Sequence, residues 1–312
     1  MQLIRGLHNL RAEHRGCVVT VGAFDGVHKG HQWVIQYLKE QAQRFQLPST
    51  VVLFEPLPKE YFQPLEAPAR IMNFREKVEA LGDCGVQRIL RVNFNASVQQ
   101  MTADSFIQTV FYEGLGARFV VLGDDFRFGN DRTGDIELMR RRGKQYGFEC
   151  DSTPTCEYED GRISSTRIRA ALSEGNFTEA EQLLGRPFSL SGHVIYGKQL
   201  GRELGFPTAN IKLARLRAPV NGVFAVRVSG GGLEHAAAIA NVGVRPTVHE
   251  SITANLEVHL IDRSIDLYGA RIKVTFLHKI RDEIKFNDLD QLRTRVLSDI
   301  DATRKWFHDN PQ

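Results

Sequence analysis

Residues 22–31 read Gly22-Ala23-Phe24-Asp25-Gly26-Val27-His28-Lys29-Gly30-His31, and they follow directly on the apolar run Cys17-Val18-Val19-Thr20-Val21. A strand-like run stops at glycines and presents two histidines three residues apart. It then passes into Gln32-Trp33-Val34-Ile35-Gln36-Tyr37-Leu38, where Trp33 with Tyr37, Val34 with Leu38, and further on Phe45 recur at helical spacing. The histidines therefore fall at a strand-to-helix turn, where free backbone N–H groups and the helix dipole attract phosphate. Two imidazole donors beside such an anion site suit the charge that develops on a nucleotide's phosphate during transfer. A plain reading exists too, in which two turn histidines cap a helix or face solvent, and an isolated H-x-x-H does not choose between them. The glycine frame, the strand before and the helix after favour nucleotidyl transfer.

Working outward, 312 residues favour two domains, because single cores seldom grow past ~250 residues. Hydrophobic content of 42% and charged content of 25% are those of an ordinary globular protein. A formal net charge of +3 gives no argument for nucleic acid or membrane as the main partner. The most basic run, Arg140-Arg141-Arg142-Gly143-Lys144, reads as a solvated helix face, with phosphate steering as the alternative. Cys17, Cys84, Cys150 and Cys156 form no C-x-x-C pair and no zinc spacing; Cys17 opens an apolar strand and is expected in the core. Reduced cysteines, no signal-peptide pattern and no bilayer-length apolar stretch lead to the expectation of a cytoplasmic protein.

The first part of the chain alternates strand and helix signals. Strands are expected at 17–24, 50–54, 86–92 and 118–123, and helices at 31–45, 73–81 (Asn73 as cap, Glu76 three later) and 102–112. That alternation implies a parallel sheet with helices on both faces and ligands at the carboxyl ends of its strands. A short helix opened by Thr178 ends at Leu183-Leu184-Gly185-Arg186-Pro187, which marks the domain boundary. Beyond Pro187 the rhythm becomes short alternating strands, 188–195, 223–228, 237–242, 255–261 and 271–277, the pattern of an antiparallel barrel or sandwich. A last helix, from Asp288 to about Phe307 and capped by Asn287, carries Leu289, Leu292, Val296 and Ile300 on one stripe.

The stretch from Gly22 to His31 resembles the HxGH signature of the adenylyltransferase superfamily, in the form found in bacterial FAD synthetases, which join a riboflavin kinase to an FMN adenylyltransferase. Two further segments fit that resemblance. Arg162-Ile163-Ser164-Ser165-Thr166-Arg167-Ile168-Arg169 resembles the ISSTxIR motif, whose hydroxyls and arginine at a helix start suit a leaving pyrophosphate; alone it is a plain N-cap sequence. Gly123-Asp124-Asp125-Phe126-Arg127-Phe128-Gly129 resembles the G-x-x-F-x-F-G flavin loop. There Phe126 and Phe128 would pack on an isoalloxazine and Asp125 would accept from it, or the segment is a tight turn with two buried phenylalanines. The resemblance implies attack of the FMN phosphate on the α-phosphorus of ATP, assisted by His28, His31, Ser165 and Arg169, with Gly22, Phe24, Asp25, Ser164 and Thr166 also at the ATP and a Mg²⁺ held largely by phosphates. Ala23 and Leu57 depart from residues common in the family at those positions.

The second half adds Gly192-His193-Val194-Ile195-Tyr196-Gly197-Lys198-Gln199-Leu200-Gly201-Arg202-Glu203-Leu204-Gly205-Phe206-Pro207-Thr208-Ala209-Asn210. Its glycines do not match the Walker spacing. They resemble the riboflavin kinase glycine loop and its PTAN motif, which implies Gly192, Gly197 and Gly201 at ATP and Thr208 and Asn210 as Mg²⁺ ligands; a glycine-rich hairpin with a polar turn is the alternative. Residues 240–247 and 256–269 resemble kinase stretches in the right order. Leu256, Val258 and Leu260 share one strand face, which puts Glu257 and His259 on the other. The resemblance makes Glu257 the base for the riboflavin 5′-hydroxyl and leaves His259 without a role.

The resemblance runs from about Ile4 to about Phe307. It implies an α/β protein: a Rossmann-like HxGH nucleotidyltransferase domain over residues 1–185, then an antiparallel β-barrel riboflavin kinase domain with a C-terminal helix over 186–312. Expected substrates and products are riboflavin, FMN, FAD and ATP with Mg²⁺, with no nucleic acid or membrane partner, in a monomer or weak homo-oligomer. Two other readings stay open at this point: a chain keeping one activity or using another phosphorylated acceptor, and a non-catalytic flavin sensor.

Overall fold

The computed structural model describes residues 1–153, 156–159, 161–197, 201, 205–246, 252–286 and 288–311. The chain divides into two compact units, Met1–Pro68 with Phe74–Ser164, and Ala69–Asn73 with Ser165–Gln312.

The first unit is built on strands β1 (Gln2–Arg5), β2 (Cys17–Val21), β3 (Ser49–Glu55), β4 (Arg88–Asn93), β5 (Ala117–Gly123) and β6 (Glu149–Thr153), with a small hairpin β7 (Glu157–Tyr158) and β8 (Gly161–Arg162). Its helices are α1 (Lys29–Phe45), α2 (Pro58–Phe62), α3 (Phe74–Asp83), α4 (Ala96–Gln99), α5 (Ala103–Phe106) and α6 (Ile136–Tyr146). β1 to β6 form one parallel sheet in the order β1-β4-β3-β2-β5-β6. All five residues of β2 are buried, as a strand covered on both faces requires. The chain runs from β2 outward through β3 to β4, then returns to lay β5 on the other side of β2. That reversal is a topological switch point, and it opens a crevice at the carboxyl ends of β2 and β5.

Several expectations shift in detail. α1 buries Ile35, Leu38 and Ala42, while Trp33 is 55% exposed, so the buried stripe is rotated from the Trp33/Tyr37 one. Thr102 does cap α5, but the chain continues as a π-helical stretch, Ile107–Gly114. The Arg140–Lys144 run lies on α6, where Arg142 pairs with Asp104 and Arg140 with Glu137. Cys17 is fully buried, and that burial pushes its thiol up to about 11, leaving it protonated and inert.

The second unit opens with α7 (Ser165–Glu174) and α8 (Phe177–Leu184). Asn176, two residues before the expected Thr178, caps α8 by accepting from the Glu179 N–H at 3.1 Å. Strands β9 (Ser189–Ile195), β10 (Ala209–Lys212), β11 (Gly222–Gly230), β12 (Leu233–Pro246), β13 (Ile252–Leu260) and β14 (Arg271–Arg281) close a barrel in the order β10-β13-β12-β11-β14-β9, with every pairing antiparallel. α8 belongs to this unit because Phe177 packs on Phe224 and Phe276 at ring separations of 5.8 and 5.9 Å. The packing boundary therefore falls earlier in the chain than residue 185.

Helix α9 (Leu289–Asp309) lies against β11, β12 and β14. Its cap is Asp288, which accepts from the Gln291 N–H at 2.8 Å; the expected cap Asn287 lies outside the described residues. Ile300 is buried and Val296 packs beneath the helix, while Leu289 is 52% exposed. A buried ion pair fixes the helix. Asp299, 3% exposed, accepts from Arg281 Nε at 2.9 Å and Nη2 at 2.7 Å, and from Arg295 at 3.2 Å. Removing one partner strands a charge, so Asp299→Ala is expected to destabilise this unit by about 2–4 kcal/mol, read as a lower urea midpoint.

Candidate active sites

The turn at the carboxyl end of β2 is held in an unusual conformation. Phe24, Gly26 and Val27 have φ of 47°, 92° and 41°, the left-handed region that a β-branched residue rarely enters. Backbone strain of this kind persists only where the surroundings over-determine it. Here Gly22 N–H donates to the Val52 carbonyl at 3.2 Å, Val27 N–H to Phe24 O at 3.3 Å, and Gln32 Nε2 to Val27 O at 2.9 Å. Phe24, Asp25 and Val27 are all buried.

His28 is the N-cap of α1. Its Nδ1 accepts from the His31 N–H at 3.2 Å, so the neutral ring carries its proton on Nε2. The rings of His28 and His31 stack at 3.6 Å and 15°. Gly30 makes room for the stack: a Cβ there would lie 3.2 Å from His28 Nδ1. The capping and functional readings of the histidine pair thus describe the same geometry, because a cap held through Nδ1 orients Nε2.

Loop 123–129 leaves β5, the strand beside β2 at the switch point. Asp125 is exposed and pairs with Arg162 at 2.6 Å. Phe126 is half-buried; Phe128 is 6% exposed, stacks on Phe126 at 5.8 Å and packs against Phe106. Gly129, at φ +90°, has no room for a Cβ, which would sit 2.7 Å from the Ala103 backbone nitrogen. The ISSTxIR-like segment is divided: Ser164 ends the first unit, while Ser165, Thr166 and Arg169 lie on the first turns of α7 in the second. Within that unit Arg169 Nε donates to the Ala69 carbonyl at 2.6 Å.

In the barrel, register assembles the second site. Asn210 on β10 is directly opposite Glu257 on β13, which is opposite Asn241 on β12. The three form a cross-strand row on one face, while Leu256 and Val258 are buried on the other. Asn255 Nδ2 donates to Glu257 Oε1 at 2.9 Å. The row opens into a cleft of about 280 Å³ that is bounded on its apolar side by Ile239, Ile284, Phe286, Leu292 and Val296. A second cavity, about 570 Å³, carries Arg263, Asp266 and the stacked rings of Tyr196 and Tyr268, 4.0 Å apart. Thr208 and Asn210 line both cavities.

The glycines of the loop make close approaches. A Cβ at Gly197 would lie 2.3 Å from Asn210 Nδ2, at Gly201 2.6 Å from the Phe206 carbonyl, and at Gly192 2.2 Å from the Lys212 carbonyl. Gly197 thus clears space for Asn210, whereas Gly192 lets β9 close on β10. Loop residues 198–200 and 202–204, and Thr247 of the 240–247 stretch, lie outside the described residues. His259, which the sequence left without a role, donates its Nδ1–H to the Pro207 carbonyl at 2.9 Å, beside Thr208. The cleft residues Arg281 and Glu283 carry no local motif and, like Asn241 of the 240–247 stretch, are placed at the cleft only once the strands are in register.

Two family models match the chain: FAD synthetase over residues 10–167 and riboflavin kinase over residues 184–307. The chain is 46% identical to the bifunctional riboflavin kinase/FMN adenylyltransferase of Pseudomonas fluorescens, covering 97% of each chain. It is also 46% identical to the protein of that name from Escherichia coli K12, over 98% of each. A crystal structure of a macrolide-efflux protein from Streptococcus pneumoniae is similar over 98% of this chain and 100% of its own, with a TM-score of 0.77 at 34% identity. With an HxGH turn at the sheet's switch point, a glutamate row in a closed barrel and near full-length similarity at this level, the chain belongs to the bifunctional riboflavin kinase/FMN adenylyltransferase family.

Proposed function

We infer that the chain makes FMN from riboflavin and FAD from FMN, with ATP as the donor in both steps. The kinase reaction belongs to the barrel and the adenylyl transfer to the parallel-sheet unit, with Gly185 as the boundary between the catalytic domains. The observation that carries the kinase assignment is that Thr208 and Asn210 line two cavities, one with an apolar wall and one that carries Arg263 and Asp266. Riboflavin's flat apolar ring suits the cleft walled by Ile284, Phe286 and Leu292, and ATP suits the cavity beside Arg263. Its 5′-hydroxyl then meets the γ-phosphate near Glu257. The hydroxyl oxygen bonds to phosphorus, the bond to the ADP oxygen breaks, and Glu257 accepts the hydroxyl proton.

The donor set fits Mg²⁺: Asn210 Oδ1 is buried and accepts no hydrogen bond among the described residues, and Thr208, two residues earlier, lines the same two cavities. A bound Mg²⁺ would neutralise charge on the phosphates. Thr208 and Asn210 would hold it, and Gly197 and Gly201 keep their side chains in place.

In the other unit an FMN phosphate oxygen attacks the α-phosphorus of ATP, and the bond to the β-phosphate breaks to release pyrophosphate. His28 and the backbone N–H groups of Lys29 and Gly30 at the start of α1 donate to the α-phosphate as its charge redistributes. His31 stacks behind His28. We assign the nucleotide's contacts in this unit to Gly22, Phe24, Asp25 and Ser164, and the flavin to Asp125 and the Phe126–Phe128 wall; the resemblance to the ISSTxIR motif alone proposes Ser165, Thr166 and Arg169 for the pyrophosphate. Phe128 is so buried that it would support the stack from behind.

Among the described residues no helix is long and apolar enough to cross a membrane. We propose a cytoplasmic enzyme, monomeric or weakly self-associating, whose partners are its small-molecule substrates. Chromatography of products after incubation with riboflavin, ATP and MgCl₂ tests the whole reading. FMN followed by FAD is expected, and FAD alone when the reaction starts from FMN. FMN without FAD would overturn the adenylyl-transfer assignment, and no turnover in either tube would leave a flavin sensor.

A further inference from the structure

Lys77, on α3, is 1% exposed, which makes it one of the largest fully buried side chains of the protein. Its Nζ donates to the Ala23 carbonyl at 2.7 Å. Ala23 is the second residue of the HxGH turn and directly precedes Phe24, the first of its left-handed residues. An ammonium group is costly to remove from water unless the protein supplies partners for it, so its placement beneath a nucleotide-binding turn calls for a reason.

We propose that Lys77 is a positioning residue for adenylyl transfer. It clamps the Ala23 carbonyl and so holds the strained Phe24–Val27 backbone in the conformation that aims the turn's N–H groups and His28 Nε2 at one point. The assignment rests on reading this turn as the adenylyl-transfer site.

Gly22 N–H is tied to the Val52 carbonyl of β3, Val27 N–H to the Phe24 carbonyl, and the Val27 carbonyl to Gln32 of α1. The Lys77 bond grips the carbonyl between them, from a third element. Without it Ala23 and Phe24 can relax toward ordinary dihedral angles, and His28, four residues on, moves with them. A displacement of ~1 Å at a phosphate-transfer site costs on the order of 10²-fold in rate. The transition state, in which charge redistributes on the α-phosphate, is more demanding of donor geometry than ground-state ATP. The loss is therefore expected in kcat, with little change in KM.

The test uses the full chain carrying Lys77→Met or Lys77→Gln. Steady-state FAD formation from FMN and ATP is measured together with FMN formation from riboflavin by the same preparations and thermal melting of each. Lys77→Met is expected to lower kcat for FAD formation ~10²-fold with KM for ATP within threefold of wild type. Kinase activity is expected to stay within twofold. Lys77→Gln, which keeps an N–H donor on a shorter arm and without the charge, is expected to recover at least tenfold of the loss while its kcat stays at least threefold below wild type. The proposal is overturned if Lys77→Met keeps kcat within threefold, or if a lowered rate tracks only the fraction of protein unfolded. If Lys77→Met does not fold, the glutamine variant decides: a lowered kcat at unchanged KM supports the clamp, and wild-type kcat with a lower melting point makes Lys77 a packing residue. Parallel assays of His28→Ala separate the two levels. FAD formation retained in His28→Ala defeats the reading of the turn, whereas an inactive His28→Ala beside an active Lys77→Met defeats the clamp alone.

Discussion

Replacing Glu257 by glutamine is expected to lower riboflavin phosphorylation ~10²–10³-fold and to leave conversion of FMN to FAD within twofold of wild type. The substitution is close to isosteric. Glutamine can present an oxygen to the Asn255 amide that now donates to Glu257 at 2.9 Å, so the row with Asn210 and Asn241 should stand. What is lost is the acceptor for the hydroxyl proton and a negative charge facing the 5′-hydroxyl. Two other carboxylates reach the same cleft, but they are committed elsewhere: Asp299 to Arg281 and Arg295, and Glu283 to the Asn221 amide at 3.2 Å. Glu257 alone of the three stands opposite Asn210 in the strand register. Since orientation of the hydroxyl also contributes in phosphoryl transfer, the fall should appear in kcat, with KM for riboflavin nearly unchanged. Separate assays starting from riboflavin and from FMN read the two activities. A loss below tenfold in the first would remove Glu257 from the reaction.

The elements legible in the sequence are those whose burial is written into their own residues. β2 and β3 are apolar runs because both faces are covered, and β14 of the barrel alternates over Ile272–Phe276 because one face is. β1 and β6 lie at the edges of the sheet and show burial patterns of one buried residue in four and one in five, so no periodicity marks them. β10 escapes for another reason: only Asn210 and Ile211 of its four residues are buried, and its sequence already reads as a polar metal-binding turn. The HxGH and PTAN segments could be found because turns of this kind need particular residues at fixed spacing. The physical reason for each glycine is visible only in three dimensions: Gly30 clears His28, and Gly197 clears Asn210. Lys77 leaves no trace in the sequence because its partner, Ala23, lies far along the chain.

His28→Ala is expected to lower FAD formation from FMN ~10²–10³-fold, about 2.7–4 kcal/mol of transition-state stabilisation, while riboflavin still becomes FMN. The same change removes the cap of α1, which alone costs about 1 kcal/mol of helix stability, so a loss of rate in the alanine variant is ambiguous by itself. His28→Asn resolves it. Asparagine caps a helix at least as well as histidine, because its side-chain oxygen can take the His31 N–H that His28 Nδ1 accepts at 3.2 Å. It cannot extend a donor to where Nε2 points, since its second polar atom lies on a shorter arm. If His28 acts on the phosphate, asparagine restores the melting temperature and leaves FAD formation as low as alanine does. If His28 serves only to start the helix, asparagine restores both. The stack on His31 at 3.6 Å favours the first outcome: a capping imidazole needs no aromatic neighbour to orient it, whereas one that must hold Nε2 on a phosphate gains from a ring fixed against its face.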